Sequence, residues 1–71
     1  MIINLPSIAV KHAALSAEIR RTRDKLLSES DWTQVADAPV DQAAWAAYRQ
    51  ALRDITQHNG FPNDLTWPAK P

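Results

Sequence analysis

Apolar residues recur at helical spacing in two stretches of the chain, separated by a polar connection that holds a single large ring. In the first stretch Ala14/Leu15, Ile19, Thr22/Arg23 and Leu26/Leu27 follow one another at intervals of three and four, the period of one helix face. Glu18, Arg20, Arg21, Asp24 and Lys25 fall mostly on the opposite, wet side. The pattern predicts a helix over 8–28, with Ser7 as its N-cap and an Arg20–Asp24 pair one turn apart on its surface. Ahead of it, residues 1–7 read as an extended lead, because Pro6 biases Leu5 away from helical angles.

The second stretch is more sharply patterned. Trp45, Tyr48, Leu52 and Ile55 stand in a 3-4-3 stripe flanked by Ala44 and Ala51, and alanine fills much of the remainder at little entropic cost. This predicts a helix over 41–59, capped by Asp41 and stopped at Asn59 and Gly60, with Gly60 taking positive φ. Between the helices, 29–40 is a connection punctuated by Asp37 and Pro39, in which "DWTQ" is short enough for one helical turn. Trp32 is expected to fold back from it over the ends of the helices it joins. The connection is too long for the tight turn of a DNA-reading helix-turn-helix and suits an antiparallel hairpin. Residues 60–71, with three prolines, cannot continue a helix. Disordered tails are poor in large apolar groups, so Leu65 and Trp67 predict an extended strap along the hairpin.

The expected architecture is therefore all-α: an antiparallel two-helix hairpin with an extended C-terminal strap, in a single small domain over 1–71. Size sharpens this picture. With 71 residues and no cysteine, the core is thin and lacks disulfide support. Three tryptophans, one tyrosine and one phenylalanine then supply much of the area available for packing, each ring burying about 150 to 250 Å². Eight basic residues balance eight acidic ones, so no partner captured mainly by net charge is indicated. Residues 1–30 carry five basic and three acidic groups, and 31–71 carry three and five. No apolar run reaches the roughly 18 to 20 residues that span a bilayer, and the opening "MIINLPSIAV" lacks the basic start of a signal peptide. A membrane partner is not expected, and the absence of cysteine fits a cytoplasmic location.

Candidates for chemistry are few. His12 and His58 stand near the outer ends of the two helices, which a hairpin brings together, but two further ligands and any HExxH spacing are missing. Asp31, Asp37 and Asp41 occupy turns and caps, where short acids bond the backbone. Ser7, Ser16, Ser28 and Ser30 have no base at a suggestive spacing, and a single glycine rules out a glycine-rich phosphate loop. Catalysis, cofactor and metal are accordingly not expected. Arg20, Arg21, Arg23 and Lys25 are the argument for nucleic acid. They spread over more than one face, Glu18 and Asp24 interrupt them, and a solvated helix face is the simpler reading.

The rings and arginines beside them are the candidates for protein contact. Arg49 and Arg53 lie one turn apart next to Trp45 and Tyr48, where their stems can cover ring edges or their heads can meet a partner. Trp67 in "LTWP" is either the anchor of the strap or an exposed anchor for another protein. Trp32, Trp45, Tyr48, Arg49, Leu52, Arg53 and Trp67 make up this candidate binding set.

At these residues the chain shows a resemblance. "RRTRDKLLSESDWTQVADAPVDQAAWAAYRQALRDIT", followed by "GFPNDLTWPAKP", resembles the C-terminal domain of phage tail assembly chaperone proteins. The carrying pieces are Arg23, Asp24, Leu26 and Leu27 before "SDWTQ", then "WAAYRQALRDI" and a closing "WP". Tail fibre assembly proteins of lambda-like phages are similar, with a tryptophan-tyrosine-arginine helix followed by a terminal tryptophan-proline. The resemblance covers about residues 19–68, and its specificity lies in the ordered combination. It implies a non-catalytic helper, phage- or prophage-encoded, that binds a tail or tail fibre polypeptide in the host cytoplasm during virion assembly. Trp32, Trp45, Tyr48, Arg49, Leu52 and Trp67 fall on family motif positions. Members often carry a longer region ahead of this segment than residues 1–18, which implies a client-selecting piece that is shortened, missing or encoded separately. Two rivals stand beside this reading. One is a small nucleic-acid-binding regulator using Arg20, Arg21 and Arg23. The other is an oligomerisation module that self-associates through Trp45, Tyr48 and Leu52.

Overall fold

The structure is a computed structural model and describes residues 8–71. The extended lead over 1–7 and the Ser7 cap lie outside the described residues. Helix α1 spans Ile8–Ser30, two residues beyond the expected end. It stops where the Ser30 hydroxyl turns back to donate to the Leu26 carbonyl at 2.9 Å and the Leu27 carbonyl at 3.1 Å. A serine bonded in this way competes with the helix ladder and favours a bend. The chain then tightens into one 3-10 turn, Asp31–Gln34, the single turn expected for "DWTQ". Thr33 locks it by donating from Oγ1 to the Ser30 carbonyl at 2.6 Å.

Helix α2 spans Gln42–Arg53. Asp41 caps it as expected, its carboxylate accepting the Ala44 N–H at 3.1 Å, and this satisfies one donor that the helix leaves unpaired. The α-helix ends six residues before the expected limit of 59. Asp54–Gln57 continue as a 3-10 turn, so the ladder narrows before the chain leaves the axis. Phe61 N–H then bonds the His58 carbonyl at 3.0 Å, and Asp64 N–H bonds the Gly60 carbonyl at 2.7 Å. Gly60 does not take positive φ. Glycine is required there for another reason: a Cβ would stand 2.8 Å from the Asp64 Cβ and closer still to the Asp64 backbone. Residues 65–71 have no regular structure.

Cross-chain contacts establish the antiparallel hairpin. Arg49 reaches Leu27, Arg20 lies over Phe61, and Asn63 meets His12. Each later residue pairs with a progressively earlier one, so α2 and the segment after it run back along α1. No strand is present among the described residues. The core lies between the C-terminal half of α1 and the inner face of α2: Ile19, Tyr48, Leu52 and Ile55, together with Ser30 and Thr33. Leu52 and Ile55 are both 0% exposed. Ile55 keeps its place in the stripe although it sits in the 3-10 turn.

The stripe of α1 is only partly used. Ala14, Leu15 and Thr22 are exposed, whereas Arg23, Leu26 and Leu27 are half-buried and Ile19 is buried. The reason is length. The 23 residues of α1 rise about 34 Å at about 1.5 Å each, and the 12 residues of α2 reach only about half as far. Beyond α2, α1 meets the C-terminal segment through His12, whose Nε2 accepts a hydrogen bond from Asn63 Nδ2 at 2.9 Å. Leu65, Trp67 and Pro68 are half-buried, in keeping with an irregular strap.

Candidate protein-binding surface

The candidate residues divide between the interior and one end of the hairpin. Tyr48 and Leu52 are core. Arg49 is also internal, with only 11% of its side chain exposed. Its guanidinium donates to the Leu27 carbonyl at 2.6 Å, to Ser30 Oγ at 2.7 Å and to Asp31 Oδ1 at 2.7 Å. The last carbonyls of a helix have no partner within it, and the C-terminus carries partial negative charge. An arginine from α2 thus supplies donors and positive charge where α1 runs out of both. This cap is delivered across the hairpin, 22 residues away in sequence. Arg53, one turn on, is exposed and donates to Gln50 Oε1 at 3.2 Å. Of the two arginines, Arg49 is spent on the end of α1, and Arg53 is the one whose head faces water.

Trp32 behaves differently from expectation. It leans on the neighbouring helix, its ring centroid 6.5 Å from that of Trp45 in a tilted pair, yet it remains 50% exposed. The 3-10 turn that Thr33 locks buries the threonine and projects the adjacent Trp32 outward. Trp45 is half-buried and meets Tyr48 edge-to-face at 5.6 Å and 89°, a favoured aromatic geometry. Val35, three residues after Trp32, is also 50% exposed. The three rings therefore form a ladder from solvent into the core: Trp32 outermost, Trp45 between, Tyr48 inside.

The scaffold under this ladder is polar and satisfied. Gln34 Nε2 donates to Thr33 Oγ1 at 3.2 Å and to the Gln42 carbonyl at 3.3 Å. Gln42 Nε2 donates in turn to the Val35 carbonyl. No buried side-chain nitrogen or oxygen lacks a partner among the described residues. Ser30 is a residue the sequence marks as able to cap or turn the chain, whereas Thr33, Gln34, Gln42 and Val35 were not expected at this surface. The spacing of Ser30 and Thr33 was the available signal, since a threonine hydroxyl readily reaches the carbonyl three residues back.

Burial raises the Tyr48 pKa above its ordinary value of 10.0, and the Glu29 carboxylate adds to the shift. An unfolded tyrosine ionises first on raising pH, so Tyr48 contributes undiminished stability below 10.0, and that contribution is lost as pH climbs through the folded pKa. Tyr48 is the sole tyrosine, so tyrosinate absorbance reports it alone. The expected midpoint lies above 10.0, with a loss of stability beyond that pH that Tyr48→Phe does not show.

Two of the four residues of the basic cluster are engaged within the chain, and Arg21 and Lys25 are exposed. Arg23 pairs with Asp24 at 2.9 Å, in place of the expected Arg20–Asp24 pair, because Arg20 lies over the Phe61 ring at 5.6 Å. Among the described residues, no three His, Cys, Asp or Glu side chains converge as a metal site, and no pocket is found. No helix is long and apolar enough to cross a membrane among the described residues. His12 bonds Asn63 rather than a second histidine, and His58 is exposed.

A hairpin whose internal polar groups cap helices and whose rings run from core to surface defines a class: a small two-helix protein with an aromatic end open to water. Within that class, the family model described as phage tail assembly chaperone protein matches residues 16–71, most of the chain. The protein belongs to the phage tail assembly chaperone family. Its general role is that of a tail assembly chaperone. No match to the chain was found among curated proteins or among solved structures.

Proposed function

We propose that the protein holds a tail or tail fibre polypeptide through the Trp32–Trp45 end of the hairpin, covering an assembly-prone surface until that polypeptide is built into the virion. One observation carries the choice of surface: Trp32 is 50% exposed while resting on Trp45. A large ring held out by a locked turn is a poor use of area in so thin a core. It is a good anchor for a partner, because its orientation is fixed before binding and little side-chain freedom is lost. Arg49 supports this role indirectly. By bonding Leu27, Ser30 and Asp31, it sets the end of α1 and hence the turn that carries Trp32. Assembly of this kind would take place in the host cytoplasm.

Co-expression with the tail tube and tail fibre polypeptides of a phage encoding this protein, followed by pull-down on the 71-residue chain, tests the reading. One of the two classes is expected to be retained. Trp32→Ala should weaken capture at least about tenfold, the scale of an aromatic hot spot, while leaving the helical signal and the melting temperature nearly unchanged because the ring is half in water. Undiminished capture by the Trp32→Ala chain would remove this surface from consideration.

A further inference from the structure

The apolar end of the hairpin has a charge character that the neutral whole conceals. From Leu26 to Tyr48 the chain carries Glu29, Asp31, Asp37 and Asp41 and no lysine or arginine. All four acids are exposed. Arg49 engages Asp31, so of four carboxylates three remain without a basic partner among the described residues. Two of the four adjoin the rings along the chain. Asp31 precedes Trp32 directly, and Asp41 lies one turn before Trp45, whose N–H bonds its carbonyl at 3.1 Å. Glu29 is in the last turn of α1, close enough to act on Tyr48, on which Trp45 packs. Of the two arginines in "YRQALR", Arg49 has its head turned inward and Arg53 stands about two turns from Trp45.

An indole half open to water, in a segment whose only charged side chains are carboxylates, favours one kind of visitor. The face attracts a cation through its quadrupole, tryptophan being the best of the rings for this. The carboxylates raise the local concentration of cations and repel acidic chains. Val35 and the exposed half of Trp32 meanwhile require an apolar neighbour to exclude water. We infer that the segment held at the Trp32–Trp45 face is a basic, apolar stretch of polypeptide, an arginine or lysine flanked by large hydrophobic residues. In a second copy of this chain Arg20 covers its own Phe61 and Arg23 pairs with its own Asp24, while Arg21, Lys25 and Arg53 stand exposed, so self-association is kept as an outcome of the test. The inference rests on the proposed function and adds the chemistry of the client.

Three synthetic peptides of equal length test it: one alternating arginine with leucine and phenylalanine, one with glutamate in place of arginine, and one with serine. Binding is followed in the full chain by the indole N–H resonances of Trp32, Trp45 and Trp67. The arginine peptide is expected to shift Trp32 and Trp45 and leave Trp67 in place. Its binding should exceed that of the glutamate peptide by at least about tenfold at low salt, a preference that falls as the Debye length shortens to about 8 Å at physiological ionic strength. A Glu29→Gln, Asp37→Asn, Asp41→Asn triple variant should lose most of that preference. It retains the rings and a competent N-cap, since asparagine caps as well as aspartate. Equal binding of the three peptides, preference for the glutamate peptide, or a triple variant with undiminished preference would each overturn the inference. So would concentration-dependent shifts of Trp32 in the free chain, which would assign the face to a second copy. If Trp32→Ala still abolishes capture of a tail polypeptide while the triple variant does not, the client chemistry is wrong and the proposed function stands. If neither affects capture, the proposed function fails as well.

Discussion

Replacing Arg49 with alanine is expected to cost about 2 to 4 kcal/mol of folding stability, a large share of the roughly 3 to 5 kcal/mol that a single core supplies in a chain this small. The loss arises from the hydrogen bonds to the Leu27 carbonyl and Ser30 Oγ, 2.6 and 2.7 Å long. Hydrogen bonds to a charged group contribute about 1.5 to 3 kcal/mol, and the alanine removes both, leaving the Leu27 carbonyl only the longer bond from the Ser30 hydroxyl at 3.1 Å. The ion pair to Asp31 is a lesser part, because 66% of the Asp31 side chain faces water and screening holds such pairs to at most about 1 kcal/mol. Urea denaturation should therefore rank Asp31→Asn well below Arg49→Ala. Arg49→Lys should fall between them, since an ammonium cannot reproduce a planar fork that serves a carbonyl, a hydroxyl and a carboxylate together. Equal loss in Asp31→Asn and Arg49→Ala would show that the ion pair, and not the helix cap, is the stabilising contact.

Leu52→Ala is expected to cost about 2 to 5 kcal/mol, the range for truncating a fully buried leucine. Leu52 is 0% exposed and lies between Tyr48 and Ile55 in the one continuous apolar seam. The core has few other buried apolar side chains, Ile19, Tyr48 and Ile55 among the described residues, so the loss of one is a large fraction of the whole. The variant should lose most of its helical circular dichroism at room temperature, or melt far below the wild type. Leu15→Ala provides the control. It is the same substitution on a residue 36% exposed in the part of α1 that outruns α2, and it should cost less than about 1 kcal/mol. Similar losses at Leu15 and Leu52 would mean that the N-terminal half of α1 is packed as tightly as the C-terminal half.

The contrast between these positions shows how far periodicity reads. Spacing placed Trp45, Tyr48, Leu52 and Ile55 on one face of α2, and the structure grades that face from half-buried Trp45 to fully buried Leu52 and Ile55. The same reasoning gave Ala14 and Leu15 a place on the core face of α1, where they are exposed. A period defines a face but not how much of it the neighbour is long enough to cover. Arg49 shows a second gap. Its position beside the rings suited either a stem over an aromatic edge or a head offered to a partner. Instead it caps a helix that ends about twenty residues earlier. Ser30 and Thr33 show a third: both lie in a stretch whose composition is that of a solvated loop, and both are buried because hydroxyls so close to a helix end bond the carbonyls left free there.

The chain by itself determined the elements and their polarity: two helices, Asp41 at the head of the second, a turn at "DWTQ", and the motif order of its family. These are local matters, decided by propensity, capping and residue spacing within about one or two turns. The tertiary structure alone decided that Arg49 caps α1, that Arg20 lies over Phe61 and not beside Asp24, and that Trp32 is the ring left facing water. Each depends on where a distant or folded-back segment comes to rest. Such contacts form between groups whose separation along the chain carries no periodic signal, and only the packed hairpin brings them within bonding distance.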